Sequence, residues 1–358
     1  MIIQPRPFNL RKTLTVLSVL LVALYFYYQR PPPLRFWVFN GSTMGTSYTI
    51  KFTDNRLNQI EIRDLKISID ALLEEVNRQM STYIPDSEIS LFNAKKDTEP
   101  FSVSPGFARV TELAIELCRA TGGAFDPTLD HLITAWGFGH KGPSREPDDK
   151  EIASILELIG CNTVSVVSGN VLQKSHSEVK LNLNAIAKGW GVDEVARFME
   201  QAGITNYFVE IGGEVSAKGL SEKMRKWRVG IDRPVDGALP GEAYDLIVEL
   251  DGKALASSGN YRNFVVTEDG RKIAHILDPR SGRTAFSQTV SVSVIAENCT
   301  VADALATALF VMGSEAGATW VDQQENIAAA FIDYQPDGTL KTIFSGGFES
   351  HLLDTGRR

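Results

Sequence analysis

A nearly apolar run at residues 301–310, VADALATALF, contains one carboxylate, Asp303, and one hydroxyl, Thr307. The two residues are four positions apart, so on a helix their side chains share a face, one turn above the other. A buried carboxylate without a partner is costly, which predicts a group that meets Asp303. Hard cations such as Mg²⁺ prefer oxygen ligands and often take only one or two carboxylates. The pair therefore indicates a magnesium site; the plainer alternative is a carboxylate that caps a strand or binds an arginine.

Two further stretches carry groups that could act on an anion or a hydroxyl. In NLNAIAKGWG, Lys188 stands where a loop enters a predicted helix, and free N–H groups beside a lysine form an anion site. In HILDPRSGR, His275 stands where a strand enters a turn, and histidine can orient or deprotonate a hydroxyl. Taken singly, a solvated lysine and a core histidine are the plainer interpretations.

Three motifs offer surfaces for a flat aromatic ligand. GSTMGTS forms a small-residue turn around Met44, MSTY places Tyr83 at the end of a long predicted helix, and GGAFDPTL sets Phe125 and Asp126 beside paired glycines. Flat ligands bind against aromatic or methionine faces with a few polar anchors. Each motif alone is typical of an ordinary hydrophobic core, whereas the three together indicate one common cause.

The elements that position these groups alternate between helices and strands. Apolar residues at helical spacing predict a helix over 61–80, and Ser104 with Pro105 predicts the start of another. After the helix that follows Lys188, most segments read as strands, and Gly212–Gly213 is interpreted as a bulge or close approach inside one strand. This pattern predicts an α+β fold with mainly antiparallel sheets. GFGHKG, residues 137–142, matches a dinucleotide fingerprint but follows a helix and precedes a proline, so it is interpreted as a loop.

Charge and cysteine content exclude some classes of protein. The chain has 358 residues, a net charge of −8 and no basic block, which argues against a nucleic-acid partner. Its three cysteines, Cys118, Cys161 and Cys299, have no metal-type spacing. Because each lies among apolar residues, buried free thiols are expected. A disulfide between Cys118 and Cys161, or between Cys161 and Cys299, is the alternative.

The N-terminus predicts a membrane segment. Residues 13–28 carry no charge, follow basic residues and precede a proline-rich stretch, and no small-residue cleavage site is present. We therefore expect residues 1–37 to form an uncleaved signal anchor with a short linker, and residues 38–358 to form one exported domain. This arrangement predicts attachment to the bacterial inner membrane with the body facing the periplasm. A cleaved signal peptide is the alternative.

Eight ordered motifs resemble those of the ApbE family, whose members are FAD:protein FMN transferases. They are GSTMGTSY, MSTY, GGAFDPTL…WGFG, NAIAKGWGVD, VEIGGEV, ASSGNY, HILDPRSG and CTVADALATAL. The resemblance covers roughly residues 38–350. It implies an ApbE-like, T-fold-like arrangement of mixed, mainly antiparallel sheets with packed helices.

The resemblance also implies roles for individual residues. Asp303, Thr307 and the backbone carbonyl of Ala185 match ligands of Mg²⁺. The residues matching those that hold FAD are Met44, Tyr83, Ala124, Phe125, Asp126, Asn182, Lys188, His275 and Ile276. His275, Lys188 and Asp303 are the residues expected to carry catalysis. Two departures are visible: Asn182 stands where the family usually has aspartate, and no lipobox cysteine precedes Cys118.

The implied reaction is attack by a threonine or serine hydroxyl of an acceptor protein on the FMN-side phosphorus of FAD, with AMP as the leaving group. Family acceptors include subunits of sodium-pumping NADH:quinone oxidoreductase, of the related Rnf complex, and nitrous-oxide reductase regulators. Two alternatives stay open. One is hydrolysis of FAD to FMN and AMP, and the other is a non-catalytic exported flavin-binding protein.

Overall fold

The computed structural model describes residues 18–21, 25, 34–138, 146–234, 244–260, 264–266, 272–285 and 287–353. Most of the expected anchor, residues 13–28, and residues 139–142 of GFGHKG lie outside these described residues.

Helices occur throughout the described part of the chain. They are α1 (Gln59–Met80), α2 (Glu88–Ala94), α3 (Pro105–Ala120), α4 (Asp130–Ala135), α5 (Asp149–Leu156), α6 (Ala187–Gln201) and α7 (Cys299–Val321), followed by a 3₁₀ turn at Phe348–His351. The two predicted helices are confirmed, and α1 begins two residues before the predicted range. Asn58 caps α1 through a capping box with Glu61, and Ser104 caps α3 with Pro105 in its first turn.

The strands form one large sheet and several small ones. The large sheet contains β1 (Arg35–Thr43), β2 (Thr46–Asp54), β6 (Tyr207–Ile211), β7 (Glu214–Lys218), β10 (Lys253–Gly259), β15 (Thr289–Ala296), β16 (Ala328–Tyr334) and β17 (Leu340–Ser345), in that spatial order. The small sheets contain β3 (Phe101–Ser102), β4 (Val164–Ser168) and β5 (Val171–Lys174); β8 (Trp227–Asp232) and β9 (Tyr244–Leu250); β11 (Phe264–Val266) and β12 (Lys272–Ala274); and β13 (Leu277–Asp278) and β14 (Arg283–Thr284). All these pairings are antiparallel. The predicted α+β class is confirmed.

The large sheet is covered on both faces. Helices α1, α6 and α7 pack on one face, where apolar residues such as Ile69, Val195 and Leu309 are buried. The β8–β9 hairpin packs on the other face, where Trp227 and Val248 are buried against β7, β10 and β15. Helix α7 packs on β10, β15 and α6, and this packing positions Asp303 and Thr307.

Helix α7 is also the one described helix long and apolar enough to cross a membrane. It has 23 residues, and most of it is buried in the body of the protein. Such burial is expected of a core helix.

The interpretation of Gly212–Gly213 as a bulge inside one strand is wrong. These glycines form the two-residue turn between β6 and β7, which pair as a hairpin with Ile211 opposite Glu214. Their φ values are +60° and +103°, a left-handed conformation that glycine adopts without steric cost. The turn sets Glu214 at the start of β7, on the cavity described below.

The expectation of three free thiols is also wrong. Cys118 and Cys161 form a disulfide with their Cα atoms 5.5 Å apart, whereas Cys299 is free and buried. Cys118 lies near the end of α3 and Cys161 in the loop before β4. Their separation of 43 residues hides the pairing from the sequence, since only tertiary packing brings the two Cα atoms within bonding range.

Removal of this disulfide should destabilise the protein. Closing a loop of 43 residues restricts the unfolded chain and contributes about 3–4 kcal/mol in the chain-entropy model. We expect replacement of both Cys118 and Cys161 by alanine to lower the free energy of unfolding by that order, measured by denaturant titration. Dithiothreitol should produce the same loss in the unmodified chain and none in the double variant.

The matched control is Cys299→Ala, which alters a buried thiol outside the bridge. The decrease in the free energy of unfolding that Cys299→Ala causes should be the same with and without dithiothreitol. Three reactive thiols in the unfolded, unreduced protein would contradict the bridge.

Candidate active site

One cavity of about 700 Å³ gathers the predicted site residues. Residues of α7 and β10 line it, together with the loops between α3 and α4 and between β5 and α6. Every predicted site residue except Met44 is on its wall: Tyr83, Ala124, Phe125, Asp126, Asn182, Ala185, Lys188, His275, Ile276, Asp303 and Thr307. Segments far apart in the chain therefore meet at one place.

The carboxylate of Asp303 is met by two groups from the start of α6. Its Oδ2 accepts a hydrogen bond from the backbone N–H of Gly189 at 2.9 Å, and its Oδ1 lies 4.0 Å from Nζ of Lys188. Only 4% of Asp303 is exposed. Burial raises the pKa of Asp303, and the lysine and the Gly189 N–H oppose that rise. A bound cation would favour the charged form further.

Helices α6 and α7 approach closely at this point, which fixes where Asp303 lies. A Cβ atom on Gly189 would be 2.3 Å from the carbonyl oxygen of Cys299, so only glycine allows this contact. Asp193, one turn further along α6, accepts hydrogen bonds from the backbone N–H groups of Cys299 and Thr300, each at 2.8 Å. Asp193 therefore caps α7 from a neighbouring helix.

The predicted metal ligands form a set of oxygen donors. Thr307 follows Asp303 by one helical turn, and its Oγ1 lies 3.1 Å from Oγ of Ser258 on β10. Ala185, in the loop before α6, lines the same cavity and carries a backbone carbonyl. A carboxylate, a hydroxyl and a carbonyl are the hard donors that Mg²⁺ takes in proteins. The chemistry of the residues present therefore fits the predicted ion.

Lys188 lies between two acidic side chains. Its Nζ forms an ion pair with Oε1 of Glu214 and lies 4.0 Å from Asp303. Loss of water around the ammonium would lower its pKa, but Asp303 and Glu214 outweigh that effect, so the pKa of Lys188 is raised. The ammonium is therefore charged at neutral pH, as a site for phosphate oxygens requires.

His275 joins the cavity from a different sheet. It follows β12, is half-buried and lines the cavity directly before the buried Ile276. The backbone carbonyl of Ile276 accepts a hydrogen bond from the N–H of Ala285 at 2.8 Å, which ties this segment to the β13–β14 hairpin. The histidine is thus presented to the cavity by an anchored backbone.

The loop after α3 contributes buried polar and apolar groups. Asp126 accepts hydrogen bonds from the N–H and the hydroxyl of Thr128 at 2.7 and 2.6 Å, and burial raises the pKa of this carboxyl. Beside it, apolar side chains suited to a flat ring line the cavity: Phe125, Leu129, Ile133, Phe138 and Ile276.

Both polar atoms of the Asn182 side-chain amide form hydrogen bonds. Nδ2 donates to Oδ1 of Asp130 at 3.2 Å, and Oδ1 accepts from the N–H of Asn184 at 3.2 Å. An aspartate at this position would place a second carboxylate against Asp130. Asparagine therefore suits this particular neighbour.

Comparison with known proteins now identifies the group to which the chain belongs. The model of the ApbE family matches residues 44–331. This chain belongs to the ApbE family. FAD:protein FMN transferase of Vibrio cholerae is 41% identical over 317 residues, covering 87% of this chain and 92% of the relative. FAD:protein FMN transferase of Escherichia coli K12 is 31% identical over 350 residues, covering 95% and 97%.

Solved structures show the same relationship. The structure of flavin transferase ApbE from Vibrio cholerae matches with a TM-score of 0.80 at 39% identity, covering 89% of this chain and 100% of that one. The apo form of flavinyl transferase ApbE from Pseudomonas stutzeri matches with a TM-score of 0.78 at 32% identity, covering 89% and 97%. The predicted family and the ApbE-like fold are both confirmed.

Met44 lies outside the wall of the cavity of this ApbE chain. It occupies the β1–β2 turn with φ of +50° and packs against buried apolar residues of the helical layer. A Cβ on Gly191 of α6 would lie 2.7 Å from its terminal methyl carbon. Contact between Met44 and a flavin stays a prediction.

Three polar residues around this ApbE site were not predicted from the sequence. Glu214 pairs with Lys188, Ser258 contacts Thr307, and Asp193 caps α7. Glu214 and Asp193 both belong to motifs that carry the resemblance, VEIGGEV and NAIAKGWGVD. The paired glycines before Glu214 were a signal for a hairpin turn, which would have placed this acid at a loop.

Proposed function

We propose that this chain transfers the FMN moiety of FAD to a threonine or serine hydroxyl of an acceptor redox protein, in a Mg²⁺-dependent reaction that forms a phosphoester and releases AMP. The observation that carries the proposal is the convergence of Asp303, Thr307, Lys188 and His275 on one cavity. Curated relatives at up to 41% identity are named FAD:protein FMN transferase, and names of this kind support FAD as substrate and a protein as acceptor.

The residues that line the cavity have separate roles in a phosphoryl-type transfer. Such reactions depend chiefly on positioning and on charge stabilisation. The ammonium of Lys188 binds oxygens of the pyrophosphate and stabilises the charge that leaves with AMP. Asp303, Thr307 and the backbone carbonyl of Ala185 would hold Mg²⁺, which would supply Lewis-acid stabilisation of the developing charge.

The nucleophile comes from the acceptor protein. We propose that His275 accepts the proton of the incoming hydroxyl as its oxygen bonds to the FMN-side phosphorus. The bond from that phosphorus to the oxygen of AMP breaks, and AMP departs with the electron pair. The apolar wall around Phe125 and Ile276 binds the ring system of the flavin. Tyr83 lines the same cavity and is 61% exposed, and we propose that it contacts the flavin ring.

We propose that the body of the chain is exported, and its disulfide supports this location. Structural disulfides form and persist in oxidising compartments such as the bacterial periplasm, and Cys118 is bonded to Cys161. We propose that the chain is attached to the inner membrane by residues 13–28 with its body in the periplasm. We propose that the acceptor is a subunit of a sodium-pumping NADH:quinone oxidoreductase, a subunit of an Rnf complex, or a nitrous-oxide reductase regulator, the acceptors that the family resemblance implies.

The experiment incubates the purified full chain with FAD, Mg²⁺ and each candidate acceptor. In-gel flavin fluorescence after denaturing electrophoresis measures covalent transfer, and chromatography measures AMP. We expect a fluorescent acceptor and an equal amount of AMP, and neither with EDTA. An acceptor whose target threonine is replaced by valine is the matched control.

The same measurements distinguish the alternatives. FMN and AMP released without a fluorescent acceptor indicate hydrolysis of FAD. FAD bound with no AMP at all indicates a protein that only binds flavin. The intact set of oxygen donors argues against the second, because binding alone has little need for a metal site.

A further inference from the structure

Glu214 is a buried acid on the wall of the candidate active site. It begins β7 directly after the Gly212–Gly213 turn, and only 2% of it is exposed. Its Oε1 pairs with Lys188, while its Oε2 is buried and has no hydrogen-bond partner among the described residues. Burial raises the pKa of Glu214 above its ordinary value, and the neighbouring Lys188 ammonium opposes that rise. An unpartnered buried oxygen is costly, so stability alone does not account for this residue.

The position of the Lys188 ammonium depends on this acid. The ammonium is in direct contact with Glu214 but 4.0 Å from Oδ1 of Asp303. The other oxygen of Asp303 is already bonded to the N–H of Gly189. Oδ1 is therefore the Asp303 oxygen that remains available to bind a cation. Without Glu214, Coulomb attraction would draw the ammonium onto that oxygen.

We propose that Glu214 is a positioning residue that holds Lys188 away from Asp303 and thereby keeps one Asp303 oxygen available to Mg²⁺. The proposal rests on the proposed function, because it assigns Asp303 to the metal. It gives Lys188 one fixed position, at which the ammonium faces the pyrophosphate without competing with the ion. Glu214 itself touches neither the flavin nor the acceptor in this assignment.

The first test compares Glu214→Gln with the unmodified chain by calorimetric titration with Mg²⁺. Glutamine keeps the shape and removes the charge, so the ammonium should move to Asp303. We expect Mg²⁺ affinity to fall by about tenfold or more, equivalent to about 1.4 kcal/mol. The Mg²⁺ concentration for half-maximal transfer should rise by the same factor. Unchanged affinity would overturn the proposal.

Glu210→Gln is the matched control, because Glu210 lies on the same hairpin and accepts a hydrogen bond from the Gly213 N–H at 2.8 Å. Its side chain is not on the cavity wall, so its loss should leave Mg²⁺ affinity unchanged. If Glu214→Gln does not fold, Glu214→Asp replaces it. The shorter side chain retracts the carboxylate from Lys188, and Mg²⁺ affinity equal to that of the unmodified chain would again overturn the proposal.

A double-mutant cycle separates positioning from simple attraction between Glu214 and the ion. If Glu214 acts through Lys188, then Glu214→Gln should cost little Mg²⁺ affinity in a Lys188→Met background. If Glu214 only adds negative charge to the site, the loss should be equal in both backgrounds, and the proposal fails.

Failure of the proposed function looks different. In that case transfer by the unmodified chain itself does not depend on Mg²⁺, and calorimetry detects no Mg²⁺ binding that Asp303→Asn abolishes. Mg²⁺ dependence in the unmodified chain, combined with no effect of Glu214→Gln, rejects the positioning role alone.

Discussion

Replacing Asp303 by asparagine should stop flavin transfer while leaving the fold intact. In the unmodified chain, the Gly189 N–H donates a hydrogen bond to Oδ2 of Asp303 at 2.9 Å. The amide oxygen of asparagine can still accept this bond, so α6 and α7 keep their contact. The charged oxygen facing Lys188 is lost, and with it the carboxylate that a cation requires. Lewis-acid stabilisation is worth several kcal/mol, so we expect the transfer rate to fall by about 10³-fold or more.

Stability measurements give this prediction a second readout. In the unmodified chain, Mg²⁺ with FAD should raise the unfolding temperature, because a ligand that binds only the folded state stabilises it. Asp303→Asn should remove the Mg²⁺-dependent part of this rise. In the absence of Mg²⁺ the variant should be no less stable, since burial already raises the pKa of this carboxyl and its charge is costly.

The matched control is Asp333→Asn, which alters another buried carboxylate. Asp333 lies on β16, accepts a hydrogen bond from Thr289 Oγ1 at 2.7 Å and is not on the cavity wall. Its replacement should lower stability and leave the Mg²⁺ dependence of transfer unchanged. Normal flavinylation by Asp303→Asn at ordinary Mg²⁺ concentration would contradict a metal role for Asp303.

The sequence could predict most of this site because its chemistry stands at the ends of elements. Lys188 lies in the first turn of a helix, His275 follows a strand, and Asp303 with Thr307 shows helical spacing inside an apolar run. Polar groups in such settings stand out from the hydrophobic pattern. The family resemblance added Ala185, whose proposed contribution is a backbone carbonyl, and no side-chain pattern could indicate such a group.

What could not be predicted depends on contacts between distant elements. Glu214 faces Lys188 only because two glycines with positive φ turn the chain, and the hydrophobic alternation around them also fits one bulged strand. The bridge from Cys118 joins residues 43 positions apart. The side chain of Met44 packs in the helical layer, where Gly191 leaves room for it. A turn motif alone does not reveal this contact.

Replacing His275 by alanine should slow flavin transfer while FAD still binds. A positioned general base contributes about 10²–10⁴-fold to a rate, and we expect a loss of that order in kcat. The KM for FAD should change little, because the apolar wall and Lys188 remain. AMP release should fall with transfer, since the same step forms the acceptor bond and expels AMP. Stopped-flow or timed in-gel fluorescence with chromatography of AMP measures both products.

His131→Ala is the matched control for this histidine. His131 lies on α4, contacts the backbone carbonyl of Glu178 through Nε2 at 2.6 Å and is not on the cavity wall. Its loss should leave kcat unchanged. Added imidazole should restore part of the activity of His275→Ala if the missing group is a base, whereas a structural defect would not respond. Lost FAD affinity with normal turnover would instead make His275 a binding residue, and the base would then have to come from the acceptor protein.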